Sequence, residues 1–122
     1  MQTKNNPMEV VLSYVKALDN QDYDAAGNFL NNGIRIKGPS GESFSNKKEF
    51  IDMLRQYHGK YDVKKVFADE DDVCLLYDLA TSIATVFMCS WYKVKEGKIA
   101  SIQTVFDPRP FGSVSGGNSR KQ

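Results

Sequence analysis

Histidine, cysteine and tryptophan are scarce in this chain of 122 residues, which contains one, two and one of them, respectively. The single histidine, His58, stands just before Gly59 at the expected end of a helix, where an imidazole caps the last turn. Because the only histidine is expected to cap a helix, no Ser-His-Asp triad is predicted. One histidine and scattered carboxylates also lack metal-ligand spacing, so no metal site is predicted. Cys74 and Cys89 lack C-x-x-C spacing and a neighbouring histidine, so we expect buried thiols and no cofactor.

An excess of charge of one sign and a long apolar run are also missing. Sixteen Lys and Arg residues against fifteen Asp and Glu residues give a net charge of +1. That balance argues against non-specific nucleic-acid binding and against a polybasic membrane anchor. The longest mostly apolar stretch contains Asp78 and is shorter than the ~20 residues that cross a bilayer. The first seven residues have no apolar signal segment, so a cytoplasmic location is expected.

The remaining composition is that of a globular protein, with 41% hydrophobic and 25% charged residues. At this length the chain has room for one core and one pocket. We therefore expect a single domain over residues 1–111. Residues 112–122 contain no core-forming pattern and are expected to form a disordered polar tail.

Three helices are predicted in the first half of the chain. Asn6-Pro7-Met8-Glu9 combines a capping asparagine, a proline in the first turn and a glutamate three residues after the cap. A second, shorter helix is expected to begin at Asp22. Asn46 and Glu49 form another capping box, and the helix that they open is expected to end at Gly59.

The second half is rich in Val, Ile, Phe, Tyr and Thr, and predicts strands over residues 62–68, 73–80, 83–95 and 98–107, after a short strand at 34–37. Three helices followed by an antiparallel meander indicate an α+β fold in which the helices cover one face of the sheet. The strand at 73–80 is apolar on both faces. The uncovered face is therefore expected to pair with a second copy, giving a homodimer through the outer sheet face.

Short motifs along the chain support a more specific fold. They are Val10-Val11-x-x-Tyr14-Val15-x-Ala17-Leu18, Asp22-Tyr23-Asp24, Trp91-Tyr92-Lys93-Val94, Gly97-Lys98-Ile99 and Phe106-Asp107-Pro108-Arg109-Pro110. In this order they resemble the nuclear transport factor 2-like superfamily, in its SnoaL-like and ketosteroid-isomerase-like branch. The resemblance implies a cone-shaped curved antiparallel sheet, a cystatin-like roll, wrapped around the N-terminal helices with a mostly apolar cavity inside.

The same resemblance implies where ketosteroid isomerase chemistry would lie. The tyrosine donor corresponds to Tyr14, the basic carboxylate to Gly38 and the acidic donor to Ser90. Because two of the three groups are missing, the standard steroid isomerisation is not expected. The superfamily also includes cyclases, hydrolases and non-catalytic binders, so the fold alone does not determine a reaction.

Two residues are the candidates for catalysis. Tyr14 lies on the apolar stripe of the first helix, as either a donor to a ligand oxygen or a core tyrosine. Asp78 interrupts an apolar strand, so its carboxylate must be paired or have a raised pKa. Inside the cavity Asp78 would be a general base, and on the outer face it would pair with Lys or Arg across a dimer interface. A one-residue slip in register exchanges these faces, so both alternatives stay open.

The remaining site candidates are expected to face the cavity, with ordinary core packing as the alternative; they are Met53, Tyr57, Met88, Ser90, Tyr92, Ile102, Thr104 and Phe106. Asp107 and Arg109 either bind a polar ligand at the mouth of the cone or form a local ion pair. Arg35 and Lys37 are expected to point outward. The predicted function is binding of a small apolar molecule, with isomerase, cyclase or hydrolase chemistry by proton transfer. The alternative is a non-catalytic ligand-binding or dimerisation module.

Overall fold

The computed structural model describes residues 6–39, 41, 43–44 and 46–112. Most of the predicted tail, residues 113–122, therefore lies outside the described residues. The described residues form four helices and six strands, in the order α1 (Pro7–Asp19), α2 (Tyr23–Asn28), β1 (Leu30–Lys37), β2 (Ser43–Phe44), α3 (Lys47–Gln56), β3 (Gly59–Asp69), β4 (Asp72–Thr81), β5 (Thr85–Lys95), β6 (Lys98–Val105) and α4 (Arg109–Gly112).

The helix starts are those that the sequence predicts, because each is fixed by a local side chain. The Asn6 side chain accepts hydrogen bonds from the amides of the first turn of α1. Asp22 caps α2 through the Ala25 amide, at 3.2 Å. Asn46 caps α3 in the same way. These bonds satisfy amides that have no partner within the helix.

The predicted end of the third helix is wrong. α3 ends at Gln56, and Gly59 is the first residue of β3. A Cβ at Gly59 would lie 2.2 Å from the Ala80 carbonyl oxygen of β4. Glycine is therefore required at this position by the close approach of two strands and not by a helix cap.

The sheet has the strand order β2-β1-β6-β5-β4-β3. The four strands from β3 to β6 form the predicted antiparallel meander. β1 departs from that prediction, because it pairs with β6 in parallel, with Ile36 opposite Ile102. It also begins at Leu30, earlier than predicted, since the Ile99 amide donates to the Phe29 carbonyl at 2.8 Å and starts the ladder there.

The core lies between the helices and the inner face of the sheet. α1 packs against β3, β4, β5 and β6, whereas α3 packs on β1, β2 and α2. On β4 the inward residues are Val73, Leu75, Tyr77 and Leu79, all buried. The expected α+β arrangement, with helices covering one face of a curved sheet, is therefore confirmed.

The opposite face of the sheet carries large apolar side chains that none of the described residues covers. We call this surface the outer patch; it comprises Phe67, Leu76, Phe87, Trp91 and Val105. Phe87 is 56% exposed and Trp91 49%. Monomeric proteins rarely leave a contiguous apolar surface of this kind free. None of the described helices is both long and apolar enough to span a membrane.

Candidate functional site

Hydroxyl groups gather in the apolar interior of the fold. We call this set the interior hydroxyl cluster; its members are Tyr14, Tyr23, Tyr61, Tyr77, Ser90, Tyr92 and Thr104. Ser90, on β5, is 1% exposed. Its Oγ lies 2.9 Å from Tyr77 Oη on β4 and 2.8 Å from Thr104 Oγ1 on β6. Three neighbouring strands are thus linked by one chain of hydroxyl hydrogen bonds.

Tyrosine rings lie on two sides of these hydrogen-bonded hydroxyl groups. Tyr14 reaches in from α1 and meets Tyr92 of β5 edge to face, with ring centroids 6.1 Å apart. Tyr61 of β3 stacks on Tyr77 of β4 at 5.6 Å. Such pairs hold large side chains in fixed orientations and aim their hydroxyls at specific places. The rings therefore form a packed apolar region that contains several hydroxyl groups.

These tyrosines are neutral at physiological pH. Burial raises the pKa of Tyr14 and of Tyr92 well above the usual value. Burial also raises the pKa of Tyr77, to about 12, although hydrogen bonds with Ser90 and Tyr92 oppose the shift. The pKa of Tyr61 is raised by burial and then by the neighbouring Tyr77. Neutral phenols donate and accept hydrogen bonds, but they are not bases that remove a proton from carbon.

One hydroxyl of the cluster has no partner. Tyr23 Oη, from α2, is buried and makes no hydrogen bond within the part of the chain that the structure describes. The Arg55 guanidinium of α3 lies over the Tyr23 ring, 5.0 Å from its centroid. Burial raises the pKa of Tyr23, and the Arg55 charge lowers it. Tyr23 also contributes to the raised pKa of Tyr61, after burial and Tyr77.

Asp78 does not belong to this interior. It lies on the outer face of β4, with its side chain 33% exposed and 3.7 Å from Lys64 Nζ. The alternation along β4 turns Val73, Leu75 and Tyr77 inward, which leaves Asp78 on the other face. Of the two alternatives for Asp78, the structure has the outer-face orientation, so its carboxylate is not placed to act as a base in the interior.

The interior as described contains no buried carboxylate, since Ser90 is its one buried polar or charged residue. The carboxylate nearest to the cluster is that of Asp19 at the end of α1, which is 28% exposed and accepts a hydrogen bond from the Tyr61 amide at 2.8 Å. The fully buried part of the cluster therefore offers hydroxyl donors and acceptors without a carboxylate among them. A hydrophobic site with a few polar groups in fixed positions is typical of small-molecule binding sites.

Most of the remaining candidates do lie on the inner face. Met88, Tyr92 and Ile102 are buried there beside Ser90, and Thr104 lies opposite Ser90 in the β5–β6 register. Met53 of α3 and Phe106, just after β6, are half-buried and pack against the same core. Tyr57 is the half-buried cap residue at the C-terminus of α3.

Three candidates outside the interior have local structural roles. His58 Nδ1–H donates to the Arg55 carbonyl at 3.1 Å, which confirms a histidine at a helix end. Arg109 pairs with Asp107 at 2.6 Å and lowers the pKa of that carboxyl to about 2. Of the two alternatives for this pair, the structure has the local ion pair.

The sequence interpretation missed three members of the cluster as site residues. Tyr23, Tyr61 and Tyr77 were not among the candidates, although each stands among inward apolar residues of its element. A tyrosine at an inward position carries a hydroxyl that needs a partner, and several such tyrosines in one domain would have indicated the cluster.

The expectation that the two cysteines are buried is wrong. Cys74 and Cys89 are half-buried on the outer face, with their Sγ atoms 3.5 Å apart. Burial and the neighbouring thiol raise the pKa of Cys74, so it is a protonated thiol near neutral pH. Within the described residues, no group of three or more His, Cys, Asp or Glu side chains is placed to hold a metal ion.

The sequence profile of the SnoaL-like domain matches residues 11–102, which span most of α1 and most of the sheet. The chain belongs to the SnoaL-like family. Its α+β cone is the one expected from the motifs, and the match includes Tyr14, Tyr77 and Ser90 of the interior hydroxyl cluster. No curated protein sequence matches the chain.

Solved structures agree with this assignment. A nuclear transport factor 2-like protein of unknown function from Cytophaga hutchinsonii is 30% identical, with a TM-score of 0.82, and the match covers 90% of this chain and 97% of that one. A nuclear transport factor 2-like protein of unknown function from Burkholderia xenovorans is 16% identical, with a TM-score of 0.76 and coverage of 98% and 100%.

An epoxide hydrolase of the LEH-like type from M. tuberculosis is also similar. It is 19% identical, with a TM-score of 0.70, and the match covers 81% of this SnoaL-like chain and 80% of that one. At this identity the likeness concerns the fold alone. Substrate and reaction must be argued from the residues of this chain.

Proposed function

We propose that this protein binds a small, largely apolar molecule that carries a carbonyl or hydroxyl oxygen, inside the cone and against the interior hydroxyl cluster. The observation that carries the proposal is the buried, unpartnered hydroxyl of Tyr23. A buried hydroxyl without a hydrogen bond costs about 1–3 kcal/mol. A ligand oxygen at this place would remove that cost and would be held by a fixed donor.

The rest of the cluster supports the same ligand chemistry. Ser90, Tyr77 and Thr104 already satisfy one another. Tyr23 lies beneath Arg55 of α3, and Tyr61 lies beside the end of α1, where its amide donates to Asp19 Oδ1. Met53 and Leu54 of α3 pack on this side of the core. The ligand therefore meets apolar side chains over most of its surface and hydroxyl groups at one end.

The binding is proposed to proceed without proton transfer by a carboxylate. Tyr14, Tyr77 and Tyr92 have raised pKa values and stay protonated, so each can orient an oxygen without acting as a base. Asp78, the sequence's candidate base, contacts Lys64 on the outer face. A non-catalytic ligand-binding module accordingly agrees with the geometry better than an isomerase, a cyclase or a hydrolase.

A thermal-shift screen tests this function. The panel contains small apolar ketones, lactones and polycyclic alcohols, each beside the hydrocarbon of the same shape. A ligand at 100 times its Kd adds about 2.7 kcal/mol of apparent stability, a rise of several degrees in Tm for a domain of this size. We expect oxygen-bearing compounds to raise Tm and their hydrocarbon analogues to have a smaller effect.

The variant Tyr23→Phe makes the test specific. It keeps the ring beneath Arg55 and removes only the unpartnered hydroxyl, so the free protein should be as stable as before or more stable. Affinity for an oxygen-bearing ligand should fall about tenfold, while affinity for the hydrocarbon analogue should not change. Ser13→Ala, on the exposed side of α1, is the control. An equal affinity of Tyr23→Phe and the original protein for the ketone would contradict the proposal.

We also infer that the protein forms a homodimer through the outer patch. Phe67, Phe87, Trp91 and Val105 expose about half of their surface on one side of the sheet. A second copy with the same patch would cover Phe67, Phe87 and Val105 in a self-complementary interface and leave free the side of Trp91 that faces Gln103 of β6. Asp78 and Lys64 lie on the same face and would stand within or beside that interface.

A further inference from the structure

A pocket of about 470 Å³ lies on the outer side of the sheet, away from the interior hydroxyl cluster. We call it the outer basic pocket. Three adjacent strands build it from two parallel rows of side chains. In the first row Arg35 of β1 stands beside Ser101 of β6, which stands beside Lys93 of β5; in the second row Lys37 stands beside Gln103, which stands beside Trp91.

The registers explain the shape of this pocket. The shorter side chains Ser101 and Gln103 lie on the middle strand and form the floor. The longer side chains lie on the two flanking strands and form the walls, with Arg35 and Lys37 on one side and Trp91 on the other. A volume of this size is within the range of small-molecule sites, about 300–1,000 Å³.

The pocket has a net positive charge. Lys93 is neutralised by Asp72, whose carboxylate lies 2.9 Å from Lys93 Nζ. Within the described residues, neither Arg35 nor Lys37 has a carboxylate at ion-pair distance. The residues that line the pocket include three cations and no acid. Two uncompensated cations on one wall favour an anionic ligand.

Trp91 gives the pocket a flat apolar wall in a fixed orientation. Its Nε1–H donates to Asp72 Oδ1 at 2.9 Å, so the indole is held from the side opposite β6. The Trp91 hydrogen bond, followed by that of Lys93, lowers the pKa of the Asp72 carboxyl, which keeps this anchor ionised. Phe44 adds a second aromatic side chain to the lining.

We propose that the outer basic pocket binds an aromatic carboxylate, with its ring against Trp91 and its carboxylate on Arg35 and Lys37. A guanidinium group matches the two oxygens of a carboxylate with parallel N–H donors, and a lysine adds charge. An exposed indole favours a planar ring over an aliphatic chain. This site is independent of the interior ligand, because Tyr23 and Ser90 contribute nothing to it.

The test uses the only tryptophan of the protein as a reporter. The Trp91 indole N–H gives one cross-peak in a ¹⁵N–¹H correlation spectrum, and benzoate is the probe titrated against it. Benzamide, which has the ring without the charge, and acetate, which has the charge without the ring, are the matched ligands. We expect saturable shifts with benzoate and an affinity about tenfold lower for each of the other two.

Two double variants separate the site from general charge. Arg35→Gln with Lys37→Gln should weaken benzoate about tenfold, because both carboxylate partners are lost. Lys16→Gln with Lys48→Gln removes the same charge from helix surfaces and should change the affinity less than twofold. Tyr23→Phe should bind benzoate as the original protein does, which distinguishes this site from the interior one.

Three results would overturn the proposal. The first is equal affinity for benzoate and benzamide, because the charge would then contribute nothing. The second is unchanged benzoate affinity in the Arg35→Gln, Lys37→Gln variant. The third combines two measurements: benzoate does not shift the indole resonance, and sedimentation shows that the Arg35→Gln, Lys37→Gln variant dissociates a dimer. A second copy would then occupy the pocket.

Discussion

At the scale of single residues, Ser90 is the centre of the interior. Its hydroxyl is the one buried side-chain group that joins β4 to β6 through hydrogen bonds. Replacement by alanine leaves Tyr77 Oη and Thr104 Oγ1 without this partner in an apolar surrounding. Such losses cost about 1–3 kcal/mol when the remaining groups stay buried.

We therefore expect Ser90→Ala to lower the free energy of unfolding by about 1–3 kcal/mol in urea titrations. The matched control is Ser13→Ala, which removes a hydroxyl from the exposed side of α1 and should change stability by less than about 0.5 kcal/mol. If both serines gave the same small change, the hydroxyl chain of the interior would have no energetic role.

The buried tyrosines determine how the protein responds to alkali. The pKa of Tyr77 in the folded chain is about 12, above the usual value near 10, because burial disfavours the phenolate. The stability that comes from keeping this phenol neutral is fully present below pH about 10 and is lost as pH rises towards about 12. Tyr14 and Tyr92 shift in the same direction and add to the effect.

Absorbance at 295 nm, which reports phenolate, should therefore rise for these tyrosines only together with the loss of the folded circular dichroism signal. The six tyrosines of the chain should not ionise in one step. A single ionisation step near pH 10 with the fold intact would show that the tyrosines are accessible to solvent.

The orientation of a site residue could be predicted only where the two faces of its strand could be told apart. Ser90, Tyr92 and Met88 were predicted correctly as inward, because β5 carries Phe87, Cys89 and Trp91 on its other face and the parity was fixed by the resemblance. On β4 both faces are apolar, so alternation alone did not fix the orientation of Asp78. Tyr23 could not be recognised as unpartnered, since the lack of a partner depends on the packing of α2 against α3.

At the scale of elements, the helix caps and the antiparallel meander of β3 to β6 were predictable, whereas the pairing of β1 was not. Each capping side chain accepts hydrogen bonds from amides two or three residues further along the chain, so the role follows from the local sequence; the caps are Asn6, Asp22 and Asn46. The parallel pairing of β1 with β6 joins residues more than sixty positions apart, and nothing local in the sequence specifies it. The role of Gly59 also depends on a distant contact. It was assigned to a helix end, but it lies on β3 where this strand closely approaches Ala80 of β4.

Gly59→Ala should be strongly destabilising, because the new Cβ would meet the Ala80 carbonyl oxygen and force β3 away from β4. We expect a loss of about 2 kcal/mol or more in the free energy of unfolding. Gly27→Ala is the control, since a Cβ there would first meet Ile51 Cγ1 at 4.0 Å, an ordinary contact. Because Gly27 lies in helix α2, its replacement by alanine should stabilise the protein by about 0.5–1 kcal/mol. A neutral result for Gly59→Ala would contradict the close approach of β3 and β4 as the reason for glycine.

At the scale of the whole molecule, the outer patch predicts self-association. Phe87→Glu places a charge at the most exposed large apolar side chain of the patch, so it should shift sedimentation from dimer towards monomer. Ile83→Glu is the matched control, because Ile83 is 50% exposed but lies in the β4–β5 turn and outside the patch. A monomeric original protein, or equal effects of both variants, would contradict the dimer.

The central claim is that an apolar, oxygen-bearing ligand enters the cone. Its most direct test is a spectrum of protein labelled with ¹³C at the methionine methyl groups, recorded while a ketone from the thermal-shift screen is added. Met88 lies deep on the inner face of β5, Met53 packs on the core from α3, and Met8 lies in the first turn of α1 as an internal reference. If the ligand binds inside the cone, we expect saturable shifts of the Met53 and Met88 methyl resonances and intermolecular contacts from the ligand to both methyl groups. The Met8 resonance should not shift. Saturable binding that leaves Met53 and Met88 unchanged would place the ligand outside the cone and contradict the account.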